Sequence, residues 1–212
     1  MLTLGLEHLK VYISLVSSQY QQITKDMSLK GTITTTDYID FSKVTSTAHK
    51  LLKDEKTQLL GLYILMGANT GLRVSDILNL KWEQVKEDLV NITEKKTGKK
   101  KTIKLNGVVR AALDRFNKDL KGYIFVSQKK TVYSRQSINR LLKQVFEKEA
   151  RKNNISSHSL RKSFGRRVFE NNNESEKSLT YLSELFNHTS VATTRRYLGL
   201  RQEELNDIYD NL

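Results

Sequence analysis

One stretch of this chain departs from the rest. Along most of its length apolar residues return at three- and four-residue steps, the period of amphipathic helices, as in Leu51, Leu52, Leu59, Leu62, Tyr63 and Met66. Between residues 88 and 105 the pattern changes to two β-type runs, Leu89-Val90-Asn91-Ile92-Thr93 and Lys101-Thr102-Ile103-Lys104-Leu105, joined across Thr97-Gly98. The economical reading is a hairpin. One small antiparallel sheet set in a series of helices makes an α+β fold that is mainly helical.

The helical periods place the other elements. Residues 4–26 carry an apolar stripe (Leu6, Leu9, Ile13, Val16), and the Thr-rich stretch 31–37 reads as a linker, so residues 1–36 form a helical appendage before a main domain over 37–212. Within that domain the pattern predicts helices over 46–69, with a stop at Asn69-Thr70-Gly71, and over 74–85, 108–120 and 134–152. A short strand is expected over 123–127. Ser156 or Ser157 then caps a helix running to about residue 170, and helices follow over 178–186, 191–198 and 202–212. Proline is absent, so every loop turns on Gly, Asn, Asp or Ser.

Charge narrows the partners. Lys and Arg number 36 against 23 Asp and Glu, a formal net charge of +13, which suits a polyanion binder. There is no Cys, hence neither a disulfide framework nor a thiolate metal site, and neither metal nor organic cofactor is expected. The longest uncharged apolar run, Leu59 to Ala68, is far short of the roughly 20 residues that span a bilayer. No secretory signal pattern opens the chain, and a cytoplasmic protein is expected. The basic residues cluster on separate elements: Lys95, Lys96, Lys99, Lys100, Lys101 and Lys104 on the hairpin, Arg161, Lys162, Arg166 and Arg167 on one helix, and Arg195 and Arg196 near the end. A lysine-rich turn alone could be a solvated sheet edge kept from aggregating. Stripes on several elements favour double-stranded DNA, with Lys95, Lys99, Lys100, Lys101, Lys162, Arg166, Arg195 and Arg196 as the backbone contacts.

Several phrases then carry a specific resemblance: Thr70-Gly71-Leu72-Arg73-Val74-Ser75-Asp76, Lys96-Thr97-Gly98, His158-Ser159-Leu160-Arg161, and Asn187-His188 with Tyr197 nine residues on. Together they resemble the catalytic domain of the tyrosine recombinases, the phage integrase family, over residues 38–212. The resemblance implies that family's catalytic-domain fold and a catalytic set of Arg73, Lys96, His158, Arg161, His188 and Tyr197. Tyr197 would be the nucleophile, His158 a general acid/base, His188 a donor to the scissile phosphate, and Lys96 the acid that protonates the leaving 5′ oxygen. The arginines make independent physical sense. Cleaving a phosphodiester without a metal requires fixed cations on the nonbridging oxygens, and planar, always-charged guanidinium groups clamp them better than lysines would. Asp76 is expected to brace Arg73 or cap its helix.

The expected function is site-specific DNA recombination (integration, excision or inversion) through a 3′-phosphotyrosyl intermediate. A recombinase-like regulator that only binds DNA and a topoisomerase of similar chemistry are the alternatives. Only about 36 residues precede the matching region, which resembles the compact fimbrial-switch invertases and the short integrases of Bacteroidetes and their mobile elements. Affinity should then come from the basic face and fall steeply with salt. Leu205, Ile208, Tyr209 and Leu212 share one face of the last helix, which either folds back or docks into a neighbour as dimers or tetramers assemble on DNA. A DNA-bending accessory protein is a further expected partner.

Overall fold

A helix that is apolar on every side must be covered on every side, and the segment Gln58–Thr70 is one: Leu62, Tyr63, Ile64, Leu65, Met66 and Ala68 are all buried. The computed structural model describes residues 36–117, 119–200 and 207–211. Among these, the helices are α1 (Phe41–Leu51), α2 (Gln58–Thr70), α3 (Val74–Leu78), α4 (Gly107–Leu113), α5 (Arg135–Val145), α6 (Glu147–Ala150), α7 (Ser157–Asn171), α8 (Glu176–Phe186) and α9 (Val191–Leu198). A 3-10 turn over Trp82–Val85 leads to strands β1 (Leu89–Thr93) and β2 (Lys100–Lys104). Helices α1, α4 and α7 pack around α2.

The hairpin stands as expected. It is antiparallel, with Val90 opposite Ile103 and Ile92 opposite Lys101. Alternation puts Val90, Ile92 and Ile103 against the core while Leu89, Asn91, Thr102 and Lys104 face water. It is the one sheet among the described residues.

Elsewhere the boundaries move. The expected helix over 46–69 is two helices, because Thr57 Oγ1 donates to the Leu51 carbonyl at 2.8 Å and the Asp54 carboxylate accepts from the Lys56 N–H at 2.9 Å. Such local side-chain bonds offer the backbone an alternative to the helix. The helix expected over 74–85 ends at Leu78, that over 108–120 at Leu113, and that over 134–152 breaks at Phe146, whose φ of −104° and ψ of 43° lie off the helical values. Residues 123–127 form no strand, only the isolated bridges Lys81 to Tyr123 and Val126 to Val132. The expected helix over 4–26 and most of its linker lie outside the described residues, as does much of the helix over 202–212. No helix among the described residues is long and apolar enough to cross a membrane.

Two clusters of buried apolar residues result. The larger gathers α1 to α5, the hairpin and Leu160 at the start of α7; the smaller gathers Phe169, Leu179, Leu182, Phe186, Tyr197, Leu198 and Leu200.

Candidate active site

The end of α2 sets the first cation. Gly71 closes the helix at φ +61°, and a Cβ there would lie 2.5 Å from the Phe164 ring, so conformation and space both demand glycine. The chain reverses, and Arg73 becomes the residue preceding α3. Arg161 comes from the first turns of α7, which is oriented by a capping box: Ser156 Oγ accepts from the His158 N–H, and Ser159 Oγ accepts from the Ser156 N–H.

The two guanidinium groups converge. Arg73 Nη2 and Arg161 Nη2 both donate to the carbonyl oxygen of Phe186, at 2.9 and 3.1 Å. Arg161 Nη1 donates to the Gly71 carbonyl at 2.5 Å, and its plane lies over the Phe186 ring, 4.1 Å from the centroid. Burial, with Arg73 adding to it, pulls Arg161 down to about 10, so it stays charged at neutral pH. The shared carbonyl belongs to the last turn of α8, where unpaired C=O groups carry partial negative charge.

Asn187 ends α8 in the left-handed conformation, φ +53°, and delivers His188. His188 Nδ1 sits 2.9 Å from Thr194 Oγ1, and the imidazole packs edge-on to the Tyr197 ring at 5.2 Å. Tyr197 is carried by α9, which Ser190 caps. It is only 9% exposed, and its hydroxyl meets no well-aligned partner among the described residues, although Arg161 lies near enough to stabilise the charged oxygen as a donor. Burial pushes the phenol up to about 12, while the charges of Arg161 and Arg73 pull the other way. Burial, reinforced by Arg161 and other cations, holds both His158 and His188 near 4, so each imidazole is neutral at pH 7.

Of the six expected catalytic residues, Arg73, Arg161, His188 and Tyr197 thus converge, and His158 stands one turn before Arg161 on α7, within the influence of Arg161 and Arg73. Lys96 lies instead on the exposed turn of the hairpin. The hairpin residues inside are two others. Lys101, expected as a backbone contact, donates from Nζ to the Leu185 carbonyl at 2.9 Å, and burial, with Arg161 next, lowers its pKa. Glu94 is 1% exposed and was not foreseen. Its Oε2 lies 2.9 Å from Arg73 Nη1 and accepts from Thr97 Oγ1 at 2.7 Å and Asn187 Nδ2 at 2.9 Å. Burial would raise the Glu94 pKa, but Thr97 and Arg73 outweigh it and hold the carboxyl below its ordinary value. So the partner of Arg73 is Glu94; Asp76 instead accepts the Lys95 N–H at 3.0 Å and ties the hairpin to α3. Alternation was the usable signal: Val90, Ile92 and Glu94 share a face, as do Lys101, Ile103 and Leu105.

The remaining expected DNA contacts divide. Lys95, Lys99, Lys100 and Arg196 are exposed. Arg166 lies over the Tyr38 ring and near Glu170, and Arg195 pairs with Glu176. Lys162 is only 7% exposed, its ammonium 5.4 Å from the centre of the Tyr197 ring.

Comparison with known proteins accords with this geometry. The sequence matches the phage integrase family over residues 38–204. YoeC of Bacillus subtilis, described as a probable integrase/recombinase, is 31% identical over 152 residues, which span 68% of this chain and 80% of that protein. The tyrosine recombinase XerC of Xanthomonas campestris is 26% identical over 148 residues, 67% of this chain but 44% of its own length. Among solved structures, the XerA recombinase superposes with a TM-score of 0.62 at 23% identity, covering 82% of this chain and 64% of that one. The XerH recombinase bound to its palindromic difH substrate gives 0.61 at 19%, covering 87% and 56%. The chain therefore spans most of YoeC but under half of XerC. The fold that brings two arginines, two histidines and a buried tyrosine together is the one shared with these recombinases, and the chain belongs to the phage integrase family.

Proposed function

We propose that this protein is a site-specific DNA recombinase that cuts and rejoins strands through Tyr197. The carrying observation is the joint aim of Arg73 and Arg161 at a single oxygen, with the buried Tyr197 hydroxyl within the influence of both guanidinium groups. A pair of fixed cations that binds a carbonyl oxygen can bind a nonbridging phosphate oxygen more strongly, because that oxygen carries more charge, and more still in the transition state. The phenol oxygen attacks phosphorus and the bond to the 5′ oxygen breaks. The phenol proton passes to neutral His158, and the departing oxygen takes a proton from Lys96. The phosphotyrosyl bond conserves the energy of the phosphodiester, so a 5′ hydroxyl can reverse the step without a nucleotide.

The same reading extends to partners. The relatives solved with DNA, among them XerH on difH and a lambda integrase dimer on a core site, support duplex DNA as substrate and assembly of protomers upon it. The exposed hairpin lysines and Arg196 would meet the backbone, and the C-terminal apolar residues Leu205, Ile208, Tyr209 and Leu212 would dock between protomers. The enzyme would work at the nucleoid in the cytoplasm, with a catalytic domain akin to those of the fimbrial invertases and Bacteroidetes integrases and a DNA-bending protein as helper.

A nicked suicide duplex, selected for binding from a random pool, tests the proposal. The parent protein should form a covalent adduct resistant to denaturation, and Tyr197→Phe should form none while still binding. Binding without any adduct would leave a regulator; an adduct with relaxation but no strand exchange would indicate a topoisomerase.

A further inference from the structure

Lys96 sits between two anchored neighbours. On one side the Lys95 N–H donates to Asp76 Oδ1 at 3.0 Å; on the other, Thr97 Oγ1 donates to Glu94 Oε2 at 2.7 Å. Both carboxylates are buried, Asp76 at 5% and Glu94 at 1% exposure. Each also belongs to the surroundings of Arg73: Asp76 stands on the helix that Arg73 begins, and Glu94 Oε2 lies 2.9 Å from Arg73 Nη1. That same oxygen takes Asn187 Nδ2, from the residue before His188.

The turn does not need these side chains in order to close. The Gly98 N–H donates to the Glu94 carbonyl at 2.8 Å, the Glu94 N–H to the Lys99 carbonyl at 2.9 Å, and Gly98 supplies the left-handed φ of +69°. Burying two carboxylates is costly, and here one oxygen of each, Glu94 Oε1 and Asp76 Oδ2, is buried without a hydrogen bond. What the pair does accomplish is to fix where the turn stands relative to Arg73.

We propose that Glu94 and Asp76 are positioning residues that hold the Lys96 turn against Arg73, so that the ammonium serving the leaving oxygen and the guanidinium serving the phosphate are set by one pair of carboxylates. The inference rests on the recombinase reading and deepens it. It concerns Lys96, which the clamp brackets; Lys101, whose Nζ donates to the Leu185 carbonyl, is the rival donor that the test below separates from it.

Sulfur in place of the bridging 5′ oxygen at the scissile phosphate separates this role from general support of the fold. Sulfur departs as a thiolate and needs no proton, so a defect in delivering Lys96 vanishes on that substrate. Thr97→Val removes one anchor at an exposed position and leaves the Glu94 charge beside Arg73. It should slow cleavage of the oxygen substrate about tenfold or more, as expected for loss of a hydrogen bond to a charged group. On the sulfur substrate it should match the parent, with DNA affinity unchanged on both. Lys96→Ala should show the same recovery. Glu94→Gln, which also removes the charge beside Arg73, should recover only in part. A Thr97→Val protein that cleaves both substrates at the parent rate, or is slowed equally on both, overturns the inference, as does sulfur recovery of Lys101→Ala but not of Lys96→Ala. If the parent itself forms no adduct on either substrate, the recombinase reading falls first and the inference with it.

Discussion

The arginine-bearing and tyrosine-bearing halves of the candidate site rest, among the described residues, on apolar clusters of unequal size. Arg73, Glu94 and Lys101 stand on or beside elements of the larger cluster, whereas His188 follows α8 and Tyr197 stands on α9, where seven buried apolar residues gather among the described residues. Polar bonds sew the two together: both arginines to the Phe186 carbonyl, Lys101 to the Leu185 carbonyl, and Asn187 to Glu94. Helix α7 runs through both, with Leu160 in the larger cluster and Phe169 in the smaller. A segment held by few apolar contacts and a polar seam opens at lower free energy than one held by a large core. On the proposed recombinase reading, Tyr197 then stands on the half that opens more easily and Arg73 on the half with the larger core.

Arg161→Ala should break the comparison most severely, because this side chain donates to Gly71 on one side of the seam and to Phe186 on the other. Cleavage should fall by about a hundredfold to a thousandfold or more, the loss typical of one transition-state donor. The Gly71 carbonyl is left without its Arg161 donor, at a cost of about 1–3 kcal/mol, while the Phe186 carbonyl keeps Arg73. Limited proteolysis should then nick residues 172–200 before anything in α1 to α5. If the variant instead unfolds in one step with no early nick, the two clusters form a single cooperative unit.

Gly165→Ala probes the smaller cluster from within. A Cβ at Gly165 would lie 2.6 Å from Leu198 Cδ2 and 3.2 Å from the Phe186 ring, so the Leu198 side chain on α9 must give way. Overpacking of this kind costs about 1–3 kcal/mol. Because Tyr197 precedes Leu198 on α9 and packs on Phe186, repacking there should lower adduct formation about tenfold or more. DNA affinity, governed by the basic surface, should hold, and a matching loss of binding would refute the separation.

How far the sequence discloses this arrangement depends on whether a signal is local. Strand β1 and helix α9 occupy the residues that period and caps indicate, and Ser156 caps α7 as expected, because each is governed by neighbours in the chain. The break between α1 and α2 escaped notice: Asp54, Glu55, Lys56 and Thr57 contain no Gly or Pro, and the apolar period runs on across them. The five residues Arg73, His158, Arg161, His188 and Tyr197 are recognisable from their phrases. Glu94 is not, because its meaning comes from Arg73 and Asn187, which are close only in the fold. Lys101 differs from its five lysine neighbours on the hairpin only by strand parity.

Acid should act in a defined direction. Both His158 and His188 hold folded-state values near 4 against an ordinary value of 6.5. As the pH falls from 6.5 toward 4, the unfolded chain binds protons that the folded chain refuses, so stability is full above about 6.5 and is lost through that window. The melting temperature should decline across it, and His188→Asn, on the weaker side of the seam, should flatten the decline. A decline unaltered by that substitution and by His158→Asn would mean that neither imidazole is held neutral by the fold.

Lys162→Met carries the smallest expected effect and tests where the boundary of the DNA surface lies. Lys162 has the sequence position of a backbone contact, yet it is 7% exposed with its ammonium over the Tyr197 ring, and burial lowers its pKa. Methionine keeps the stem and relieves the desolvation of a charge while losing the cation–π contact, so stability should change by about 1 kcal/mol or less. A residue that neutralises a phosphate contributes about 1 to the slope of log affinity against log salt. Removing exposed Lys99 or Lys100 should therefore flatten that slope, and Lys162→Met should leave it alone. A slope lowered by about 1 would place the Lys162 ammonium on the DNA, which requires the Tyr197 side of the seam to open when DNA binds.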